Sequence, residues 1–304
     1  MSHSSCGKEG FSPTRKKAFH GAGTHGLAEL VAAGLSSEIA QRRTSSENDM
    51  PKETFANYFD ELQAQRDAWQ RKGNLRALYR RWYARIVAAL SPQRPVVELG
   101  SGCGNFKSFF PETVATDVFP CGPWIDMRVD ARRLPFAENS IGNVVMIDCL
   151  HHLPRPIDFL RNVARCLQPG GRVVLFEPAA TPWARFVWRR FHHEPCDLSA
   201  DLFAAAGTPE PENANFTYSN MATASLLFLS GRDRFEALVP ELRIERVEHS
   251  DFVVYPATGG FSYCGFVPGA LLPALHAIES AITRPTARRL TAMRLLVVLE
   301  KPAA

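Results

Sequence analysis

The sequence predicts an α/β fold built on a doubly wound sheet, and three observations carry that prediction. Short apolar, β-branched runs recur at Val96-Val97, Val114-Ala115-Thr116, Val144-Val145-Met146-Ile147 and Val173-Val174-Leu175-Phe176, the texture of buried strands. Segments of helical period separate some of them, as in Ile157, Leu160, Val163, Ala164 and Leu167. The first run leads into Glu98-Leu99-Gly100-Ser101-Gly102-Cys103-Gly104-Asn105. A glycine-rich turn at the carboxyl end of a strand lies where open α/β sheets bind their ligands.

Composition narrows the partners. The chain has 304 residues, 45% hydrophobic and 22% charged, in the ordinary range for a globular protein. Thirty-five Lys and Arg against 31 Asp and Glu leave +4, too small an excess for nucleic acid to be the expected partner. The seven cysteines form no Cys-x-x-Cys pair and are odd in number, so neither a zinc framework nor a disulfide framework is expected. No uninterrupted apolar run approaches the roughly 18 residues of a spanning helix. A reduced, cytoplasmic protein without a transmembrane segment is therefore expected.

Residues 1–50 are rich in Ser, Gly, His, Lys and Arg and read as a mobile tail, with one short helical stretch at Leu27–Ala40. From residue 52 onward the chain reads as one domain, 52–304. Phe55, Phe59, Leu62, Arg66 and Trp69, then Leu75, Leu78, Tyr79, Trp82, Ile86, Val87 and Leu90, fall at helical spacing and end before Ser91-Pro92. Phe106–Phe110 leaves room for only a very short helix before Pro111. Val114-Ala115-Thr116-Asp117 is a second strand ending in an acid, placed where a carboxylate can accept both hydroxyls of a ribose. Pro169-Gly170-Gly171 is the expected stop of the helix that begins near Ile157.

The glycine spacing separates two nucleotide cofactors. A dinucleotide loop follows G-x-G-x-x-G. Counting from Gly100 the third glycine falls on Asn105, and from Gly102 on Lys107, so an NAD-linked oxidoreductase is disfavoured. Glu-Leu-Gly-x-Gly-x-Gly instead resembles motif I of the class I S-adenosylmethionine (SAM)-dependent methyltransferases. Further on, Asp130-Ala131-x-x-Leu134-Pro135-Phe136, Asp148-Cys149-Leu150-His151-His152-Leu153 and Leu167-x-Pro169-Gly170-Gly171 through Glu177-Pro178 resemble segments of the methyltransferase type 11 group, in family order. Glu138 and Ile141-Gly142-Asn143 depart from that pattern in the turn before the third strand.

The resemblance implies a Rossmann-like, seven-stranded doubly wound sheet with N-terminal helices and an inserted lid. It implies a SAM-binding core at 95–178, a substrate lid at 179–240 and a C-terminal strand-helix-strand at 241–304. The cofactor residues it implies are Glu98, Gly100, Ser101, Gly102 and Gly104 in the loop, Asp117 and Val118 at the ribose, Asp130 and Ala131 at adenine, and Asp148 beside the methionine portion.

The lid segment is less familiar. Trp183, Phe186, Val187 and Phe191 share a helical face, with Arg185, Arg189 and Arg190 between them. Aromatics covering the active site are the expected role, and peripheral membrane contact through 183–191 is the alternative. A long irregular loop then runs to Asn220, and loops of that length serve as lids or binding loops. Leu242–Glu248 alternates as a half-exposed strand running toward Tyr255, Leu271–Ile282 is helical, and Arg294–Glu300 is the last strand.

SAM carries its own leaving group, so the expected catalysis is orientation of a small-molecule acceptor, with oxygen, nitrogen and carbon all open as the methylated atom. A non-catalytic SAM-binding partner protein and a protein or RNA methyltransferase are the alternatives. Where an acceptor must lose a proton, histidine is the suitable base. His152, His192 and His193 are the candidate general bases. Adjacent histidines with Glu194 lack a third well-spaced ligand, so no metal is expected.

Overall fold

The computed structural model describes residues 52–119, 122–203, 218–282 and 284–303. The tail at 1–50, its Leu27–Ala40 stretch and most of the loop before Asn220 lie outside the described residues. Two helices, α1 (Lys52–Arg71) and α2 (Gly73–Ala89), precede the sheet. Its strands are β1 (Val96–Leu99), β2 (Thr113–Asp117), β3 (Met127–Arg128), β4 (Ile141–Ile147), β5 (Leu167–Pro178), β6 (Arg243–Ser250) and β7 (Arg294–Glu300). The described residues form a seven-stranded sheet in the order β3-β2-β1-β4-β5-β7-β6. β1 through β5 pair in parallel, while β7 runs antiparallel between β5 and β6. β1 lies between β2 and β4, so the order reverses there and opens a crevice at the strands' carboxyl ends.

The continuous apolar runs follow from burial on both faces. Successive strand residues point to opposite sides. Val96, Val145, Val174, Phe176, Leu296 and Val298 meet Leu75, Leu78, Trp82 and Ile86 of α2. Val97, Val144, Val173, Leu175, Leu295 and Val297 face the other way, onto Ile157, Leu160 and Val163 of helix α4 (Pro156–Cys166) and onto Phe228 and Phe235. The very short helix after the glycine loop, α3, is Asn105–Phe109.

Three boundaries differ from the sequence expectation. α4 stops at Cys166, ahead of Pro169-Gly170-Gly171, because Leu167 is already extended and paired with Ile141. β6 stops at Ser250 rather than running to Tyr255. Asp251 turns the chain with φ +59°, and one carboxylate oxygen of Glu279 then accepts the amides of Phe252, Val253 and Val254 at 2.9, 2.6 and 2.6 Å, a curled arrangement no strand supplies. The third is a short helix, Pro285–Thr291, between the predicted helix (Leu272–Ala281) and β7.

A buried polar knot fixes the entry to β1. Asn143, fully buried in β4, accepts from the Ser91 amide at 2.8 Å and donates to the carbonyls of Gln93 at 2.8 Å and Ser91 at 3.2 Å. Asn143→Ala leaves these groups buried without partners, and each such group costs about 1–3 kcal/mol. A loss of about 2–4 kcal/mol in urea unfolding is expected.

Candidate active site

The crevice is a cavity of about 1000 Å³ that runs from the glycine loop to the helix after β5. Gly100, Gly102 and Gly104 have φ of 74°, 46° and 70°, a conformation that side chains rarely adopt. The loop is pinned by the Ser101 amide on the Thr116 carbonyl at 2.9 Å and the Gly102 amide on Asp117 Oδ2 at 2.8 Å. α1 walls it from above: Tyr58 stacks on Phe119 with ring centres 4.1 Å apart, and Arg66 lies 3.9 Å over Trp124, whose Nε1 donates to the Gly102 carbonyl.

Nearly every cofactor residue expected from sequence borders this cavity: Glu98, Gly100, Ser101, Gly102, Asp117, Val118, Asp130, Ala131 and Asp148. Gly104 does not. It starts α3 with its back to the Trp124 ring, which a side chain there would strike, so its role is to let the loop turn. Three acids are more engaged than the sequence suggests. Asp117 also accepts the Phe119 amide on Oδ1 at 3.0 Å. Asp130 is forked by the Arg132 guanidinium at 2.8–3.1 Å and also takes the Arg132 amide, so its carboxylate is filled by a neighbour rather than open toward an adenine. Asp148, at φ +51°, pairs with buried Arg294, which lies between Trp82 and Tyr255. A lone Arg before an apolar run is all the sequence shows of Arg294.

Glu98 is different. It is 3% exposed, and its Oε2 has no hydrogen-bond partner among the described residues. Burial pushes its carboxyl up to about 8.

At the far end, helix α5 (Pro182–Phe191) starts on Thr181, whose hydroxyl oxygen accepts the Ala184 amide at 3.2 Å. It buries Ala184 and Trp188 rather than the aromatic face expected, and leaves Phe186 and Phe191 61% and 52% exposed. Those rings nevertheless border the cavity, together with Trp183, Tyr263 and Phe266. Lys72 Nζ secures the opposite rim, donating to the carbonyls of Gly260 at 2.6 Å and of Phe261 and Tyr263.

The histidines converge differently from expectation. His151, which the sequence leaves unassigned, is the buried one at 3% exposure. Its Nδ1 meets Glu177 Oε2 at 2.7 Å, and Glu177 Oε1 accepts the amides of Cys149 and Leu150 at 2.9 and 2.8 Å. His151 Nε2 then faces Glu194 Oε2 at 3.8 Å. Burial opposes protonation of His151, but the two carboxylates outweigh it and raise the imidazolium to about 10. Burial likewise opposes ionisation of Glu194, yet the surrounding imidazoles hold its carboxyl at about 2. His152 donates from Nδ1 to the Tyr218 carbonyl at 3.0 Å and turns Nε2 to Glu194 Oε1 at 3.5 Å. His192 Nδ1 accepts the Glu194 amide at 3.2 Å, which puts its proton on Nε2, 3.6 Å from the same carboxylate. In that tautomer the Nδ1 lone pair of His192 is taken by the Glu194 amide and its Nε2 proton faces the Glu194 carboxylate. His193 is exposed and stacks on His192 with ring centres 5.1 Å apart. The adjacency of Glu194 to the two later histidines was visible in the sequence, but its meeting with His151 and His152 was not.

A doubly wound sheet, a glycine loop at its switch point and acids at the strand ends define a nucleotide-cofactor protein of the open α/β class. Residues 70–220 match the family model of a methyltransferase domain. The chain carries a methyltransferase domain on a sheet of the class I methyltransferase type and is a methyltransferase enzyme. Among solved structures it is similar to a SAM-dependent methyltransferase from Archaeoglobus fulgidus, at 14% identity over 74% of this chain and 94% of that one, with a TM-score of 0.44. It is also similar to a geranyl diphosphate methyltransferase in complex with SAM, at 12% identity over 73% and 85% of the two chains, with a TM-score of 0.43. A comparison with curated proteins returned no match. No helix among the described residues is long and apolar enough to cross a membrane.

Proposed function

We propose that the enzyme methylates a small molecule with an apolar or aromatic body, held between the glycine loop and the aromatic rim of α5. The cavity carries this reading. At about 1000 Å³ it reaches the upper end of the roughly 300–1,000 Å³ that single ligands occupy, leaving room for an acceptor beside the cofactor. The residues present fit SAM: bare backbone at Gly100 and Gly102, a buried carboxylate oxygen on Glu98 in need of a donor, and Asp117 at the tip of β2.

In this reading Glu98 receives the ammonium of the methionine portion. Asp117, at the tip of β2 and bordering the cavity, accepts from the ribose. SAM supplies an activated methyl group. The chain's own task is orientation, worth roughly 7–11 kcal/mol in favourable systems. A bound SAM would supply the methyl group to the acceptor, and a proton lost by the acceptor would depart at the His151–His152–Glu194 wall. His152 presents its unprotonated Nε2 there; His193, with no orienting partner, is the weaker of the remaining base candidates.

Calorimetry should show binding of SAM and none of NAD. Asp117→Ala should weaken SAM binding at least about tenfold, the equivalent of losing one charge-assisted hydrogen bond of roughly 1.5–3 kcal/mol. Unchanged affinity would refute the ribose assignment. Transfer of labelled methyl to a host extract identifies the acceptor, and a labelled macromolecule in place of a small one would overturn the acceptor class.

A further inference from the structure

The His151–His152–Glu194 wall has the construction of a metal site. One donor atom from each of the three residues lies within 4.8 Å of the other two. Both imidazoles are oriented by their other nitrogen. His151 Nδ1 is committed to the fully buried Glu177 carboxylate at 2.7 Å, and His152 Nδ1 to the Tyr218 carbonyl at 3.0 Å. Donation from the non-ligating nitrogen to a carboxylate or carbonyl is how metal-binding histidines are held. Glu177 is anchored in turn by two backbone amides, so the orienting group is itself fixed.

The spacing decides between a hydrogen bond and a shared cation. Glu194 Oε2 and Oε1 stand 3.8 and 3.5 Å from His151 Nε2 and His152 Nε2, beyond ordinary N–H···O hydrogen-bond distance. Ligands about 2.0–2.1 Å from one ion, at tetrahedral to trigonal angles, lie about 3.3–3.6 Å apart, a range the His152 pair meets and the His151 pair exceeds by about 0.2 Å. His192 Nε2, proton-bearing, steadies Glu194 from outside the triad.

We infer that His151 Nε2, His152 Nε2 and the Glu194 carboxylate bind one divalent transition-metal ion, with an open coordination position toward the acceptor cavity. This replaces the sequence expectation of no metal. That expectation considered His192, His193 and Glu194, neighbours in sequence, whereas both imidazole ligands, His151 and His152, arrive on the loop after β4. Two imidazoles and one carboxylate are the donors of catalytic rather than structural zinc. Resting on the acceptor reading above, the inference recasts His152 Nε2 from base to ligand and adds a substrate class: a hydroxyl-bearing acceptor whose oxygen coordinates the ion and loses its proton to water more readily there.

The test uses the full chain, stripped with chelator and titrated with Zn²⁺ by calorimetry, with SAM titrated in parallel. One zinc per chain is expected, and Mg²⁺, an oxygen-seeking ion, should not compete. His152→Ala and Glu194→Gln should each weaken zinc binding by at least about a hundredfold and leave SAM affinity unchanged. Glu177→Gln should cost about 10–100-fold, the usual range for an orienting partner. Cobalt(II) bound to the parent chain should give the intense visible bands of a low-coordinate site. A six-coordinate cobalt spectrum, the absence of stoichiometric zinc, or equal zinc affinity in the two ligand variants would each overturn the metal site while SAM binding stands. Failure of the parent chain to bind SAM would count instead against the functional reading.

Discussion

Gly100→Ala is expected to remove measurable SAM binding, a loss of at least about a hundredfold, with the fold retained. Two costs coincide at this position. The backbone sits at φ +74°, where a side chain costs roughly 1–2 kcal/mol. The new Cβ would also run into Cys149 Sγ, at the edge of the cavity where the proposed function puts the cofactor's methionine portion. A double variant separates the contributions. Gly100→Ala/Cys149→Ala removes the sulfur and keeps both the added methyl and the positive φ. If bare backbone is what the cofactor requires, the double variant stays inactive in SAM calorimetry. Recovery of near-parent affinity would mean that the glycine serves only to clear Cys149.

The division between what was legible in the sequence and what was not follows sequence range. β1, its loop, β2 and β7 are read from contiguous residues, because strands buried on both faces and a glycine turn leave local marks. The acids at 98, 117, 130 and 148 are found the same way, each at or just beyond a strand. Which of them stand open is not local. Asp130 is filled by a residue two positions on, Asp148 by an arginine 146 positions away, and Glu98 keeps a buried oxygen with no partner among the described residues. The end of β6 was misplaced because Glu279, on a later helix, curls the chain at Phe252–Val254. His151 went unassigned for the same reason. Its neighbour His152 looks identical in sequence, and the approach of Glu177 from β5 distinguishes the buried ring from the exposed one.

Glu98 carries the second large effect, and its sign in pH can be worked out. In the unbound protein burial holds its carboxyl at about 8, so at neutral pH it is mostly protonated. If it receives the cofactor's ammonium, the bound state favours the carboxylate and binding releases a proton. SAM affinity should therefore rise with pH through the range from about 6 to 8 and level off above it. The release should also appear as a dependence of the binding enthalpy on the buffer's ionisation enthalpy. Glu98→Gln removes the titrating group while keeping its shape. It should weaken binding by about 10–150-fold at pH 8, the equivalent of a charge-assisted hydrogen bond of roughly 1.5–3 kcal/mol, and flatten the pH profile. Stability of the unbound chain moves the other way. Its carboxyl is harder to ionise folded than unfolded, so the parent loses stability as pH climbs from about 4.5 to about 8, and Glu98→Gln should not. A parent whose SAM affinity is flat across this range would place the ammonium on another group, and the buried oxygen of Glu98 would then need a different donor.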